Sequence, residues 1–264
     1  MNVVVLMKQV PDTTDVRIDR ETNTLIREGV PSIINPFDMY AIEEALRVRE
    51  GAGEGTVTVM SMGPPQVEDA LREAVALGVD RAVLLSDRAF AGSDTWSTSY
   101  TLAAGIRKLP DYDLILCGKQ AIDGDTAQVG PGVAQFLGIP QVTYARKLTV
   151  EGTSAATVER MLEDGYDVVR VPLPAVVTVV KEINEPRLPS LKGKMKAKKA
   201  EITVWGSGDL VVDQEELGLD GSPTRVVRVF APEAREGGTV FEGEVEETVE
   251  SLVRELVPIL KGEG

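Results

Sequence analysis

The chain has 264 residues, room for one large domain or two small ones, and its 28 Lys and Arg against 42 Asp and Glu leave a formal charge of −14. That acidic balance argues against general nucleic-acid binding, which needs a basic surface to neutralise phosphates. Histidine is absent and Cys117 is the single cysteine, which excludes His-based triads, His-ligated metals, internal disulfides and Cys clusters for zinc or iron–sulfur. The opening segment from Met1 to Met7 meets Lys8 at once. It is too short for a signal or membrane-spanning segment, so the expectation is a soluble cytoplasmic protein, or one of the mitochondrial matrix if the source is eukaryotic. Any redox group it works with is borrowed.

Strand-like and helix-like stretches alternate over the first two-thirds. Val3 to Met7 is a continuous apolar run, the pattern of a strand buried on both faces. In the polar segment 11–29, Val16-Arg17-Ile18 and Thr24-Leu25-Ile26 suit a short hairpin. Asn35-Pro36-Phe37-Asp38 opens a helix, with Asn35 as N-cap, Pro36 at the first helical position and Asp38 at the positive end of the dipole; Gly51 ends it. The cycle repeats with strands at Thr56–Met60, Arg81–Leu85 and Asp113–Cys117, and helices ending at Leu77, Leu109 and Leu137. Such alternation predicts right-handed βαβ units and a parallel sheet. Residues 142–182, with turns at Glu151-Gly152 and Asp164-Gly165, predict antiparallel hairpins extending the sheet edge.

From Asn184 the composition changes. Pro186, Pro189 and Gly193 are expected to break regular structure, and residues 186–200 carry a local charge of +6 against −20 for the remainder. The acidic tail after Ile202, with a helix expected from Val245 to Leu260, has too few apolar residues for its own core. It reads as an arm that docks elsewhere.

The segment Gly118 to Gly130 follows a buried strand and opens a helix, which places it at the carboxyl edge of the sheet, where open α/β folds bind ligands. Thr126 suits the cap of that helix, and the N–H groups of Ala127, Gln128, Val129 and Gly130 suit an anion. Asp123 and Asp125 are poor neighbours for phosphate and good acceptors for ribose hydroxyls. An ordinary strand–helix loop rich in turn residues accounts for the same composition, since no dinucleotide or P-loop glycine fingerprint is present. Leu6-Met7-Lys8, Asn35 to Asp38 and Ser61-Met62-Gly63 end at the same sheet edge, and four such loops together favour a ligand. Cys117, in an apolar run, reads as a buried inert thiol. The lysine cluster is open to reading as a solvated loop or as a patch for acidic partners.

At Val179-Val180-Lys181-Glu182-Ile183-Asn184-Glu185-Pro186-Arg187, followed by Met195-Lys196-Ala197-Lys198-Lys199, the sequence resembles the signature of the β subunit of electron-transfer flavoproteins. Lys8-Gln9-Val10-Pro11-Asp12, Asn35-Pro36-Phe37-Asp38 and the Gly118–Gly130 segment match the same family in order and spacing. The resemblance covers essentially the whole chain.

The resemblance implies a three-layer α/β/α fold of the adenine-nucleotide α-hydrolase-like type, with a mostly parallel sheet, antiparallel edge strands and a C-terminal docking arm. It divides the chain into a nucleotide-binding domain over 1–183, a partner-recognition loop over 184–200 and an arm over 201–264 that docks on the α subunit. It implies an electron carrier rather than a substrate-converting enzyme. FAD is shared with the α subunit, and AMP or a second FAD lies in the β subunit. Electrons pass from flavoprotein dehydrogenases, such as the acyl-CoA dehydrogenases of fatty acid β-oxidation, towards the respiratory chain through electron-transfer flavoprotein–quinone oxidoreductase. No nucleic acid and no membrane insertion are implied. Carried over by motif, the nucleotide contacts are Leu6, Asn35, Asp38, Met62, Asp123, Asp125, Thr126, Ala127, Gln128, Val129 and Gly130. The recognition residues are Arg187, Leu191, Lys192, Lys194 and Lys196, with Leu191 as apolar anchor. The run from Gly124 to Gly130 resembles the electron-bifurcating branch, so both nucleotides stay open. The competing reading is a stand-alone adenine-nucleotide-binding or hydrolysing protein. The hydrolysing form often has a Ser-Gly-Gly-x-Asp-Ser loop after the first strand, and Lys8-Gln9-Val10-Pro11-Asp12 does not match it.

Overall fold

The computed structural model describes residues 1–12, 31–228 and 237–262. The hairpin expected at 16–18 and 24–26 lies outside them. In chain order the elements are β1 (Val3–Leu6), β2 (Gln9–Pro11), β3 (Ser32–Ile34), α1 (Pro36–Ala52), β4 (Val57–Met62), α2 (Glu68–Leu77), β5 (Arg81–Leu85), α3 (Thr95–Arg107) and β6 (Leu114–Gly118). There follow α4 (Val129–Leu137), β7 (Gln141–Glu151), β8 (Ala155–Met161), β9 (Tyr166–Pro172), β10 (Ala175–Val179), α5 (Leu191–Lys199), β11 (Thr203–Trp205) and α6 (Val245–Leu260).

Among the described residues the main sheet runs β11-β5-β4-β1-β6-β10-β7-β8-β9, with β2 and β3 a separate antiparallel pair. β1 lies at the centre, parallel to β4 on one side and β6 on the other. Its side chains alternate between the two faces. Val3 and Val5 pack with Ile42 and Leu46 of α1 and Leu71 of α2, whereas Val4 and Leu6 pack with Leu102 and Ile106 of α3 and Val133 of α4. The result is a three-layer α/β/α fold.

Several expectations are corrected. α1 runs past Gly51 and ends at Gly53, whose left-handed φ of 76° closes the helix, with its N–H donating to the carbonyls of Arg49 and Glu50. β7, β8 and β9 are antiparallel, as the turns predict. β10, in the same stretch, instead returns to the interior of the sheet, parallel to both β6 and β7. Residues 191–199 are helical despite Gly193, capped by Ser190 Oγ, which accepts the Gly193 N–H at 3.0 Å.

The chain divides into two compact units, Met1–Arg228 and Val229–Gly264. Part of the segment after residue 200 lies on the first unit. β11 extends the sheet as a parallel partner of β5, and Leu210 and Leu217 are buried among the α3 and α4 residues. Two aspartates hold the segment in place. Asp87 accepts the N–H and hydroxyl of Ser207, both at 2.8 Å, and Asp94 accepts the N–H and hydroxyl of Thr224 at 2.9 and 2.7 Å while also capping α3. In the second unit, α6 has no buried residue, and Val249, Leu252, Val253 and Leu256 are exposed. No helix among the described residues is long and apolar enough to cross a membrane.

The sheet edge that carries the site depends on a close approach at Gly118. A Cβ there would sit 2.6 Å from Asp38 Oδ1 and 2.7 Å from the Phe37 carbonyl carbon. Gly118→Ala is therefore expected to destabilise the chain by about 1–3 kcal/mol, read as a lower midpoint in urea unfolding with an unchanged slope.

Candidate nucleotide-binding site

β1 leads through α1 to β4 on one side, whereas β6 lies on the other, so the crevice between β1 and β6 is the topological switch point of the sheet. As the strands part, the N–H groups of Lys8 and Gly118 leave the ladder. One carboxylate takes both: Asp38 Oδ2 accepts Lys8 N–H at 2.8 Å and Oδ1 accepts Gly118 N–H at 2.9 Å. Burial pushes the Asp38 carboxyl up to about 7, against the lowering pull of these two N–H groups. Burial, and then the Asp38 charge, push the neighbouring Cys117 thiol well above its ordinary value, so it is inert as a nucleophile.

Asn35 stands at the N-cap position, but its side chain does not cap. Its Nδ2 donates to the Gln120 carbonyl at 2.9 Å, and its Oδ1 accepts the Ile122 N–H at 3.1 Å. These two bonds pin the 118–130 segment over the start of α1. Further along the segment, Lys8 Nζ reaches both Asp123 oxygens at 2.6 and 2.8 Å, and Gln120 Nε2 donates to Asp125. Asp125 and Ala127 take left-handed φ values of 52° and 54°. That conformation delays the helix, so α4 begins at Val129 with Gln128 as its N-cap, and Thr126 is not the cap.

The residues present fit an adenine nucleotide's phosphate. Val129 and Gly130 are in the first turn of α4, where amides have no intrahelical acceptor, and Pro131 has no N–H to leave unpaired. Gly130 brings that turn against the sheet, since a Cβ would meet Thr178 Cγ2 at 2.7 Å and Cys117 Sγ at 2.9 Å. The Asp123 carboxylate, which would repel a phosphate, is paired with Lys8. The exposed Thr126 hydroxyl has no partner among the described residues, and Gln128 Oε1 accepts from Thr95 Oγ1 at 3.3 Å.

The nominated residues thus divide by what they touch. Asn35 and Asp38 tie the crevice together through their side chains, Asp123 pairs with Lys8, Asp125 is held by Gln120, and Thr126 to Gly130 carry the segment into the first turn of α4. Leu6 is buried in the core and Met62 half-buried against it. Of the recognition residues, Leu191, Lys192 and Lys194 are exposed, whereas Lys196 Nζ donates to the Val79 carbonyl at 3.1 Å. Arg187 folds back onto α1: its Nε donates to Glu43 Oε2 at 2.7 Å and its Nη1 to Glu50 Oε1 at 2.6 Å. Burial alone would raise Glu43, but hydrogen bonds from Arg187 and Arg47 hold it below the ordinary carboxylate range.

One cluster escaped the sequence reading. Lys119 Nζ stands 5.0 Å from the Phe37 ring centroid and 5.8 Å from that of Tyr144. Tyr144 adopts a φ of 59° beside a register shift between β7 and β10, and its N–H donates to Thr178 Oγ1 at 3.1 Å. Lys119 lies inside the 118–130 segment, but nothing in the sequence sets it apart from its neighbours, and nothing marks Tyr144.

A family model described as the electron transfer flavoprotein domain matches residues 22–210. The electron transfer flavoprotein subunit beta of Thermoanaerobacterium thermosaccharolyticum is 56% identical over 97% of this chain and 98% of its own. The chain belongs to the electron transfer flavoprotein family, among its β subunits. Other relatives are the caffeyl-CoA reductase–Etf complex subunit CarD of Acetobacterium woodii, 51% identical over 97% of this chain and 98% of its own, and protein FixA of Azorhizobium caulinodans, 46% identical over 97% and 94%. With the electron transfer flavoprotein family come a flavin-linked electron-transfer role and an α-subunit partner.

The raised Asp38 carboxyl makes stability depend on pH. Between the ordinary carboxylate value of 3.8 and about 7, the folded chain holds a proton that the unfolded chain has released. The Asp38 contribution is therefore fully present below 3.8 and lost as pH rises through 7, at up to about 1.4 kcal/mol per pH unit. Asp38→Asn is expected to flatten stability against pH across that window, measured by urea unfolding at successive pH values.

Proposed function

We propose that this chain is the subunit of a heterodimeric electron transfer flavoprotein that holds an adenine nucleotide, AMP or a second FAD, in the β1/β6 crevice, and that with its α subunit it shares a redox-active FAD. The observation that carries the reading is the 118–130 segment, pinned by Asn35 across the sheet's switch point with the first turn of α4 at its end. The flavin supplies the electron chemistry; this chain binds, orients and shields. Val129 and Gly130 N–H groups would hold the phosphate and Thr126 and Asp125 the ribose, while Asn35 and Asp38 keep the crevice in shape. Electrons arrive from flavoprotein dehydrogenases, acyl-CoA dehydrogenases among them, and leave towards a quinone oxidoreductase of the respiratory chain. A relative named as a subunit of a reductase–Etf complex supports assembly with such partners.

The test is the bound nucleotide itself. Protein co-expressed with its α subunit, denatured and analysed by mass, should release AMP or FAD in addition to the shared FAD. Losing the two Asn35 side-chain bonds leaves part-buried backbone groups of the segment unpaired, at about 1–3 kcal/mol. Asn35→Ala is therefore expected to lower nucleotide retention by roughly five- to a hundredfold. Equal content in wild type and variant would remove the crevice as the site.

The dehydrogenase docks, on this reading, on residues 184–200. Leu191 is 78% exposed in the folded chain, so its truncation costs the fold little. Burial against a partner is worth about 1.5–3 kcal/mol, or roughly ten- to a hundredfold in affinity. Leu191→Ala should raise the half-saturating dehydrogenase concentration by that factor with an unchanged melting temperature. A lower melt with unchanged half-saturation would refute the anchor.

A further inference from the structure

The segment proposed to meet dehydrogenases is a folded helix, and its own sequence does not explain why. α5 has nine residues, contains Gly193, and sets Lys192 against Lys196 and Lys194 against Lys198 at helical spacing. A peptide so short, with like charges four apart and an interior glycine, does not hold a helix in water. The fold supplies what the segment lacks, at both ends.

At the carboxyl end, α5 and the α2 segment exchange side-chain bonds to each other's backbone carbonyls. Arg72 of α2 donates to the carbonyls of Ala197 and Ala200 at 3.2 and 2.7 Å, and Lys196 of α5 donates to that of Val79, just beyond α2. Gly193 permits the contact, because a Cβ there would collide with the Ala76 carbonyl oxygen. At the amino end, the Arg187 guanidinium spans Glu43 and Glu50 of α1 through four hydrogen bonds of 2.6–3.3 Å, and the Arg187 backbone N–H donates to Glu43 as well. Asn184 adds bonds to the Tyr40 carbonyl and Glu44, at 3.0 and 2.9 Å. Between the two anchorages stand Leu188, Leu191 and Met195, at 90%, 78% and 61% exposure.

We propose that Arg187 is a positioning residue, which by clamping residues 184–190 to α1 presents the Leu188–Leu191–Met195 face already folded to a flavoprotein dehydrogenase, without touching that partner. The proposal rests on the docking reading of residues 184–200. Four of the five guanidinium N–H groups are committed to two carboxylates, and the Glu43 side chain is only 4% exposed. A partner would have to break a bidentate fork on each carboxylate to reach the arginine. Preorganisation of this kind acts on affinity through the fraction of chains that are ready to bind.

The test uses the chain co-expressed with its α subunit, as wild type, Arg187→Ala, Arg187→Lys and Glu43→Gln. Two quantities are read: amide hydrogen exchange over residues 191–200, and electron transfer from a purified acyl-CoA dehydrogenase reduced by its acyl-CoA substrate, titrated at several salt concentrations. If loss of the clamp leaves about a tenth to a third of chains with α5 in place, half-saturation rises roughly three- to tenfold. The maximal rate and the salt slope should stay as in wild type, exchange should quicken, and Arg187→Lys should recover part of both effects. Glu43→Gln should reproduce Arg187→Ala, although its side chain lies buried on α1. Unchanged exchange in both variants would overturn the clamp. A raised half-saturation with an altered salt slope in Arg187→Ala alone would make Arg187 a direct contact and overturn the proposal. Faster exchange with wild-type half-saturation would overturn the docking reading beneath it while leaving the clamp in place.

Discussion

Where two parallel strands diverge, each leaves a backbone N–H without a ladder partner, and a buried unpaired N–H is costly. Here the Asp38 carboxylate answers both, with one oxygen on Lys8 and the other on Gly118. Much of the site follows from that arrangement. α1 must begin close above the split, which Pro36 at its first position favours. Residue 118 must lack a side chain, because Asp38 and Phe37 occupy its space. Asn35, displaced from ordinary capping, becomes available to hold the next loop through Gln120 and Ile122. The four residues Asn35-Pro36-Phe37-Asp38 thus do four different things: pin the loop, start the helix, face Lys119 and bridge the strands.

The parallel half of the sheet was legible because β1, β4, β5 and β6 are buried on both faces and are rich in Val, Leu, Ile and Met. β10 reads the same way, but its place between β6 and β7 is a non-local pairing that periodicity does not carry. The start of α4 was misplaced because Thr126 is a good cap by type, whereas the left-handed residues on either side of it have no composition signal. α5 was illegible for a plainer reason: its helix comes from Arg72, Lys196 and the Arg187 clamp, which lie in tertiary contacts and not in local propensity. At the site, residue types were readable and partners were not. Asp123 was nominated for a ribose, and its carboxylate meets Lys8, 115 positions away in sequence.

The acidic region after residue 200 shows how composition misleads about domain limits. It is poor in apolar residues, yet two well-placed leucines and two aspartates keep Thr203 to Thr224 on the first unit. Asp87 and Asp94 are both held below the ordinary carboxylate value. In Asp87 the Ser207 N–H dominates; in Asp94 burial works the other way but is outweighed by bonds from Thr224, Ser97 and Trp96. Both anchors accept backbone N–H groups, so they replace the ladder that a strand would have supplied. Exposure of α6 belongs to the second unit alone, where Val249, Leu252, Val253 and Leu256 recur at the spacing of one helical face.

The chain's own side chains offer little redox chemistry. It has no histidine, and its one cysteine is buried beside a carboxylate. A protein so equipped contributes to electron transfer by placement, and placement is what the strongest interactions here secure. Asp38 fixes the crevice, Asn35 fixes the loop across it, and Arg187 fixes the segment that carries the exposed apolar face. All three act on the same helix: Asn35 and Asp38 at the amino end of α1, and Arg187 through Glu43 and Glu50 further along it. α1 is therefore the common datum for the nucleotide crevice and the proposed docking segment. Its rigidity sets how well the position of one relative to the other is defined.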